Sequence, residues 1–149
     1  MEIKITPASI DCADAKELIG ELNSVLTEIT GDDGTVNFSN NDVIGERATF
    51  LIAYVDGVPY GCGALRQISE NTAEVKRVYA RKNQCGVGRK VLKALETKAV
   101  EFGYQKLVLE TRVQNLHAIA FYQDNGYTRC DAYGKYVAKE NAYCCEKVI

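Results

Sequence analysis

Between Thr49 and Ala80 the chain carries three runs of strand character separated by nothing longer than a turn. The runs are Thr49 to Val55, Val58 to Ile68 and Thr72 to Ala80, and the links are Asp56-Gly57 and Glu70-Asn71. Parallel neighbours need a crossover of about a dozen residues or more, so runs joined this closely form an antiparallel meander. Asp-Gly supplies the positive φ angles of a tight hairpin turn. Pro59 is tolerated at an edge or near the start of its strand. The meander argues for a mixed sheet rather than a fully doubly wound parallel one.

The flanks add helices. Ile3 to Thr6 alternates as a short strand. Asp11 to Ile29 places apolar residues at Ala15, Leu18, Ile19, Leu22, Val25, Leu26 and Ile29, which is helical spacing. Asp14 and Glu17 are read as a capping-box-like start, with Gly31 as the stop. Gly31 to Gly45 reads as a polar loop with one helical turn near Asn41 to Ile44. After the meander, Val87, Val91, Leu92, Leu95, Ala99 and Phe102 form one stripe of a helix that Gly103 ends. Lys106 to Glu110 is a short apolar strand, and Asn115 to Asn125 a helix stopped by Gly126. Tyr127 to Ile149 reads as a closing hairpin with a strand at Tyr143 to Val148. The expected order is β-α-βββ-α-β-α-ββ, an α+β fold with a mixed, mostly antiparallel sheet. No linker or repeat interrupts the 149 residues, so one domain over 1–149 is expected.

Net charge is -2, without a basic stripe, so no nucleic-acid partner is expected. No apolar run approaches the ~18 residues of a membrane span. The start, Met1-Glu2-Ile3-Lys4-Ile5, lacks signal-peptide order, so the expected location is the cytoplasm. None of the six cysteines shows C-x-x-C spacing; free thiols and no metal site are expected. Adjacent Cys144 and Cys145 should point to opposite faces of their strand.

The stretch that carries chemistry follows the third meander strand. Glu74-Val-Lys-Arg-Val-Tyr-Ala80 leads through Arg81-Lys-Asn-Gln-Cys-Gly-Val-Gly88 into a helix. A helix N-terminus offers unpaired backbone N–H groups and the positive end of the dipole. Gly86 and Gly88 remove side chains, so a phosphate can approach the backbone. Lys82, Arg89 and Lys90 add positive charge. This describes an anion site suited to a pyrophosphate. An ordinary glycine-containing helix start is the plain alternative. A dinucleotide fold is a sharper one, with Glu110 on the ribose, but Val91 stands where its third glycine belongs and the preceding strand is polar.

Two elements together resemble the GNAT superfamily of N-acetyltransferases. Asn83-Gln84-Cys85-Gly86-Val87-Gly88 resembles its [Gln/Arg]-x-x-Gly-x-[Gly/Ala] signature, with Asn83 in place of the usual Gln or Arg. Asn115-Leu-His-Ala118-Ile-Ala-Phe121-Tyr122 followed by Gly126-Tyr127 resembles N-x-x-A-x-x-F-Y-x-x-x-G-[FY]. The resemblance implies that Val78 and Ala80 pair their backbone with the pantetheine arm of acetyl-CoA. It implies that Gln84, Cys85, Gly86, Val87, Gly88 and Arg89 cradle the pyrophosphate, Cys85 through its backbone only. Asn115 would contact the pantetheine end, and Tyr122 would protonate the departing thiolate. Glu74, four residues before Val78 and read as sharing its face, would be the base, with Glu110 in reserve. Plainer readings stand beside these: a helix N-cap for Asn115, core packing for Tyr122 and Phe121, a surface charge for Glu74, an exposed position for His117.

The implied activity is direct acetyl transfer to a primary amine of a small molecule or peptide. A non-catalytic acyl-CoA-binding domain would bind CoA without turnover; a nicotinamide enzyme would bind NAD instead. The implied acceptor loops, Gly31 to Gly45 and Cys130 to Asn141, carry no recognisable motif. Arg66, Lys76 and Arg112 suggest a zwitterionic or anionic amine, against which they read as solvated strand-end charges. A homodimer is the assembly kept in view.

Overall fold

The computed structural model describes residues 1–82 and 86–149. Its seven strands are β1 (Ile3–Pro7), β2 (Thr49–Val55), β3 (Val58–Gln67), β4 (Thr72–Ala80), β5 (Lys106–Arg112), β6 (Thr128–Arg129) and β7 (Ala142–Val148). The helices are α1 (Ala13–Thr30), α2 (Val87–Glu101) and α3 (Leu116–Asp124). The strands form one sheet of order β1-β2-β3-β4-β5-β7-β6. Only β4 and β5 run parallel; every other pair is antiparallel. The expected fold class is thus observed, and the dinucleotide alternative has no doubly wound sheet to rest on. Short 3-10 turns at Thr35–Asn37 and Asn40–Val43 fill the polar loop after α1.

Alternation sorts the sheet into two faces. Leu51, Ala53, Leu65, Ala73, Val75, Leu107 and Leu109 pack with α2 residues Val91, Leu92, Leu95 and Ala99. Phe50, Ile52, Cys62 and Ala64 pack on the other face against Ala15 and Leu18 of α1. Burying each Val or Leu of α2 contributes about 1.5–3 kcal/mol. Gly63 lets α2 come close: a Cβ there would lie 2.8 Å from Leu95 Cδ1 and 2.9 Å from Val91 Cγ1. Cys144 faces Glu110 and Cys145 enters the α2-side core, so the adjacent thiols do point opposite ways.

Two local expectations are corrected. The N-cap of α1 is Cys12, whose sulfur accepts from Ala15 N at 3.4 Å. Asp14 instead accepts a hydrogen bond from Tyr54 of β2 at 2.7 Å, and Glu17 pairs with Arg81 at 3.1 Å. Both side chains are drawn toward the sheet rather than back to the helix end. The second correction is in β4. Cys62 pairs with Tyr79 and Ala64 with Lys76, so Arg77 and Val78 together oppose Gly63. Arg77 takes φ +56 at this bulge. Strict alternation stops there. Glu74 and Lys76 face the α1 side, whereas Val78 packs on the α2 side, so Glu74 and Val78 do not share a face.

Candidate active site

The sheet opens just ahead of the bulge. β4 and β5 pair only from Thr72–Lys106 to Glu74–Val108. Beyond Glu74 the strands separate, and the β5-facing edge of β4 has no strand neighbour among the described residues. A cleft of about 130 Å³ occupies the gap, with Lys76, Val78, Glu110, Asn115 and Tyr122 in its walls. Val78 lines the opening on this edge, and Ala80, two residues on, pairs with Gly61 of β3.

The α2 N-terminus stands at the end of β4. Gly86 is its N-cap with φ +64, a left-handed conformation that glycine adopts without a Cβ penalty. Among the described residues no side chain caps this end. Val87 is buried in the core, so it can offer a ligand only its backbone. Gly88 lies beside Ala80 and Phe121, and Arg89 is exposed. Asn83, Gln84 and Cys85 lie outside the described residues.

Asn115 caps α3, its side chain accepting from Ala118 N at 3.2 Å, and it also lines the cleft. The cap and contact readings are therefore geometrically compatible. The Tyr122 ring packs edge-on against Phe121 at 5.1 Å and Tyr127 at 5.7 Å. Burial pushes its hydroxyl well above the ordinary phenol range, so it stays protonated. Phe121 packs against the core and His117 is exposed, both as read.

The two carboxylates are placed differently. Glu74 is fully buried and does not line the cleft. Arg66 Nε donates to it at 2.6 Å, Tyr133 donates its hydroxyl, and Lys76 Nζ stands 3.9 Å away. Glu110 does line the cleft. Arg112 Nη1 donates to it at 2.6 Å and Nη2 reaches Asp32 at 3.2 Å. Desolvation pushes Glu110 above the usual carboxylate range, against the pull of Arg112. Lys76 goes the other way, down to about 8, because its ammonium is buried.

Residues that no motif announced complete this side. Lys76 Nζ donates to Asn37 O at 2.8 Å and to the Tyr136 hydroxyl at 2.9 Å. Arg77 reaches back to Asn23 and Asp33 O, tying α1 and its following loop to the bulge. Asn37, Tyr133 and Tyr136 come from the two loops without recognisable motifs. Their only sequence signal is aromatic and amide content in a polar segment, which many surface loops share.

The family model described as "Acetyltransferase (GNAT) family" matches residues 17–127. An uncharacterised N-acetyltransferase of Bacillus subtilis strain 168, YsnE, is 29% identical over 109 residues, covering 70% of this chain and 72% of that protein. A solved structure assigned as an acyl-CoA N-acyltransferase from Klebsiella pneumoniae superposes with TM-score 0.82 at 28% identity, covering 98% and 97% of the two chains. A GNAT family acetyltransferase from Elizabethkingia anophelis, solved with acetyl-CoA bound, superposes with TM-score 0.73 at 17% identity over 99% and 98%.

Proposed function

The chain belongs to the GNAT acetyltransferase family and is an acyl-CoA-dependent N-acyltransferase, and from that premise we propose that it moves an acetyl group from acetyl-CoA directly to a primary amine. The observation that carries the reading is the separation of β4 from β5 beside the α2 N-terminus. An extended thioester arm fits the free β4 edge, and a pyrophosphate fits the N–H groups after Gly86. The thioester supplies an activated carbonyl with a thiolate leaving group.

The chain's residues supply the rest. The acceptor must present a neutral amine, so its ammonium gives a proton to a base. Glu110 takes this role ahead of Glu74, because it lines the cleft and desolvation raises its carboxyl above the usual range, which makes it the stronger base. Glu74 then serves as an anchor that holds Arg66, Tyr133 and Lys76 in place. A backbone N–H near Val78 polarises the carbonyl. As the C–N bond forms and the C–S bond breaks, Tyr122 donates its proton to the departing sulfur, and the proton that the new amide nitrogen sheds returns Tyr122 to its phenol form through solvent.

A free-thiol-release assay with acetyl-CoA against a panel of primary amines tests this. Turnover on at least one amine, and thermal stabilisation by CoA but not by NAD, are expected. CoA binding with no thiol release from any amine would assign the chain to acyl-CoA binding alone.

A further inference from the structure

Three lysine ammoniums converge on one buried asparagine at the cleft wall. Lys76 Nζ and Lys135 Nζ both donate to Asn37 O, at 2.8 and 2.9 Å, and Lys139 Nζ donates to Asn37 Oδ1 at 3.2 Å. Asn37 is 5% exposed and lines the cleft with Lys76. Two ammoniums sharing one carbonyl repel each other, and neither Lys135 nor Lys139 has a carboxylate partner among the described residues. The nearby carboxylates are already engaged: Glu74 by Arg66, Glu110 and Asp32 by Arg112. The Tyr136 ring lies beneath Lys76 at 5.6 Å and Lys139 at 5.9 Å. The positive surplus therefore gathers around Asn37, with Lys76 in the cleft lining and Lys135 and Lys139 reaching Asn37 from beside it, while Glu110 supplies negative charge in the cleft.

Resting on the transferase reading above, we propose that the acceptor is a primary amine that also carries an oxyanion, held by Lys76, Lys135 and Lys139 while its amine faces Glu110. Lysines act as point charges and satisfy either a carboxylate or a phosphate. Polycations are disfavoured, because every added ammonium meets the three already present.

The test compares β-alanine and 2-aminoethyl phosphate with propylamine and spermidine, in thiol release and in calorimetric binding to the CoA-loaded protein. An oxyanion-bearing amine is expected to exceed propylamine in kcat/KM by about tenfold or more, the size of one charge-assisted hydrogen bond. The faster of the two identifies carboxylate or phosphate as the group read. Lys135→Ala with Lys139→Ala should raise the KM of that amine by about tenfold or more, with KM for acetyl-CoA moved far less. Lys135→Arg with Lys139→Arg should restore it. Preference for propylamine or spermidine overturns the inference while leaving the transferase reading intact. Should no amine release thiol, the transferase reading fails, and calorimetry still decides this one: oxyanion-amine binding lost in the double alanine variant supports it, and equal binding of propylamine sinks it.

Discussion

The two sides of the cleft are made of different material. The side we propose for the cofactor consists of a strand edge at Val78 and Ala80 and a helix start at Gly86, so backbone groups dominate it. The side we propose for the acceptor consists of side chains: Glu110, Lys76 and Asn37, with Tyr136 and Arg112 holding them. A backbone site tolerates side-chain change and is lost when chain geometry changes. A side-chain site fails at single atoms. The contrast also explains the charges. Backbone N–H groups receive a phosphate without buried cations, whereas ionised side chains at the acceptor side must be paired or shift their pKa values.

The largest effect expected is at the acceptor side. Glu110→Gln should lower kcat by about 10²–10⁴-fold. The base works deprotonated, so activity rises with pH through its folded pKa. That pKa is raised, which places the acidic limb of kcat/KM above the ordinary carboxylate range. The limb should vanish in Glu110→Gln. If it survives there and disappears in Glu74→Gln, the two glutamates exchange roles. Tyr122→Phe should lower kcat over a similar range with little change in acetyl-CoA binding, and unchanged turnover would leave Tyr122 as packing alone.

Next comes Glu74→Ala, expected to cost about 3 kcal/mol of stability in chemical denaturation, because it strands Arg66 and the Tyr133 hydroxyl. A loss below ~0.5 kcal/mol would show a surface-like charge instead. On the cofactor side, Gly86→Val puts a β-branched residue at φ +64. CoA at about 100 Kd should stabilise the native chain by about 2.7 kcal/mol and the variant by far less, read as a thermal shift. Arg89→Ala, a side-chain change on the same side, should retain most of that shift.

The smallest effect is in stability against pH. Lys76 titrates near 8 folded and near 10.5 unfolded, so between those values the unfolded chain binds more protons. Its contribution therefore makes stability rise with pH. Buried thiols act oppositely: burial holds Cys62 up to about 12 and Cys145 up to about 11, so the folded chain keeps protons that the unfolded chain loses. Lys76→Met should make the net fall above pH 9 steeper than in the native chain. A shallower fall would contradict the buried-ammonium account.

The sequence by itself determined the elements and the glycine-bearing start of α2. Hairpin links too short for a crossover dictate the meander, the stripe from Val87 to Ala99 dictates α2, and consecutive residues bring Gly86 and Gly88 to its start. These are local consequences of backbone sterics and periodicity, so neighbouring residues suffice to display them. Tertiary structure decided the rest. The bulge at Arg77, set where two residues oppose Gly63, turned Val78 away from Glu74. Packing of distant segments buried Glu74, left Glu110 facing the gap, and gathered Asn37, Lys76, Tyr136 and Lys139 from positions far apart in the chain. Burial and through-space charge depend on which segments meet, and no window of adjacent residues contains that information.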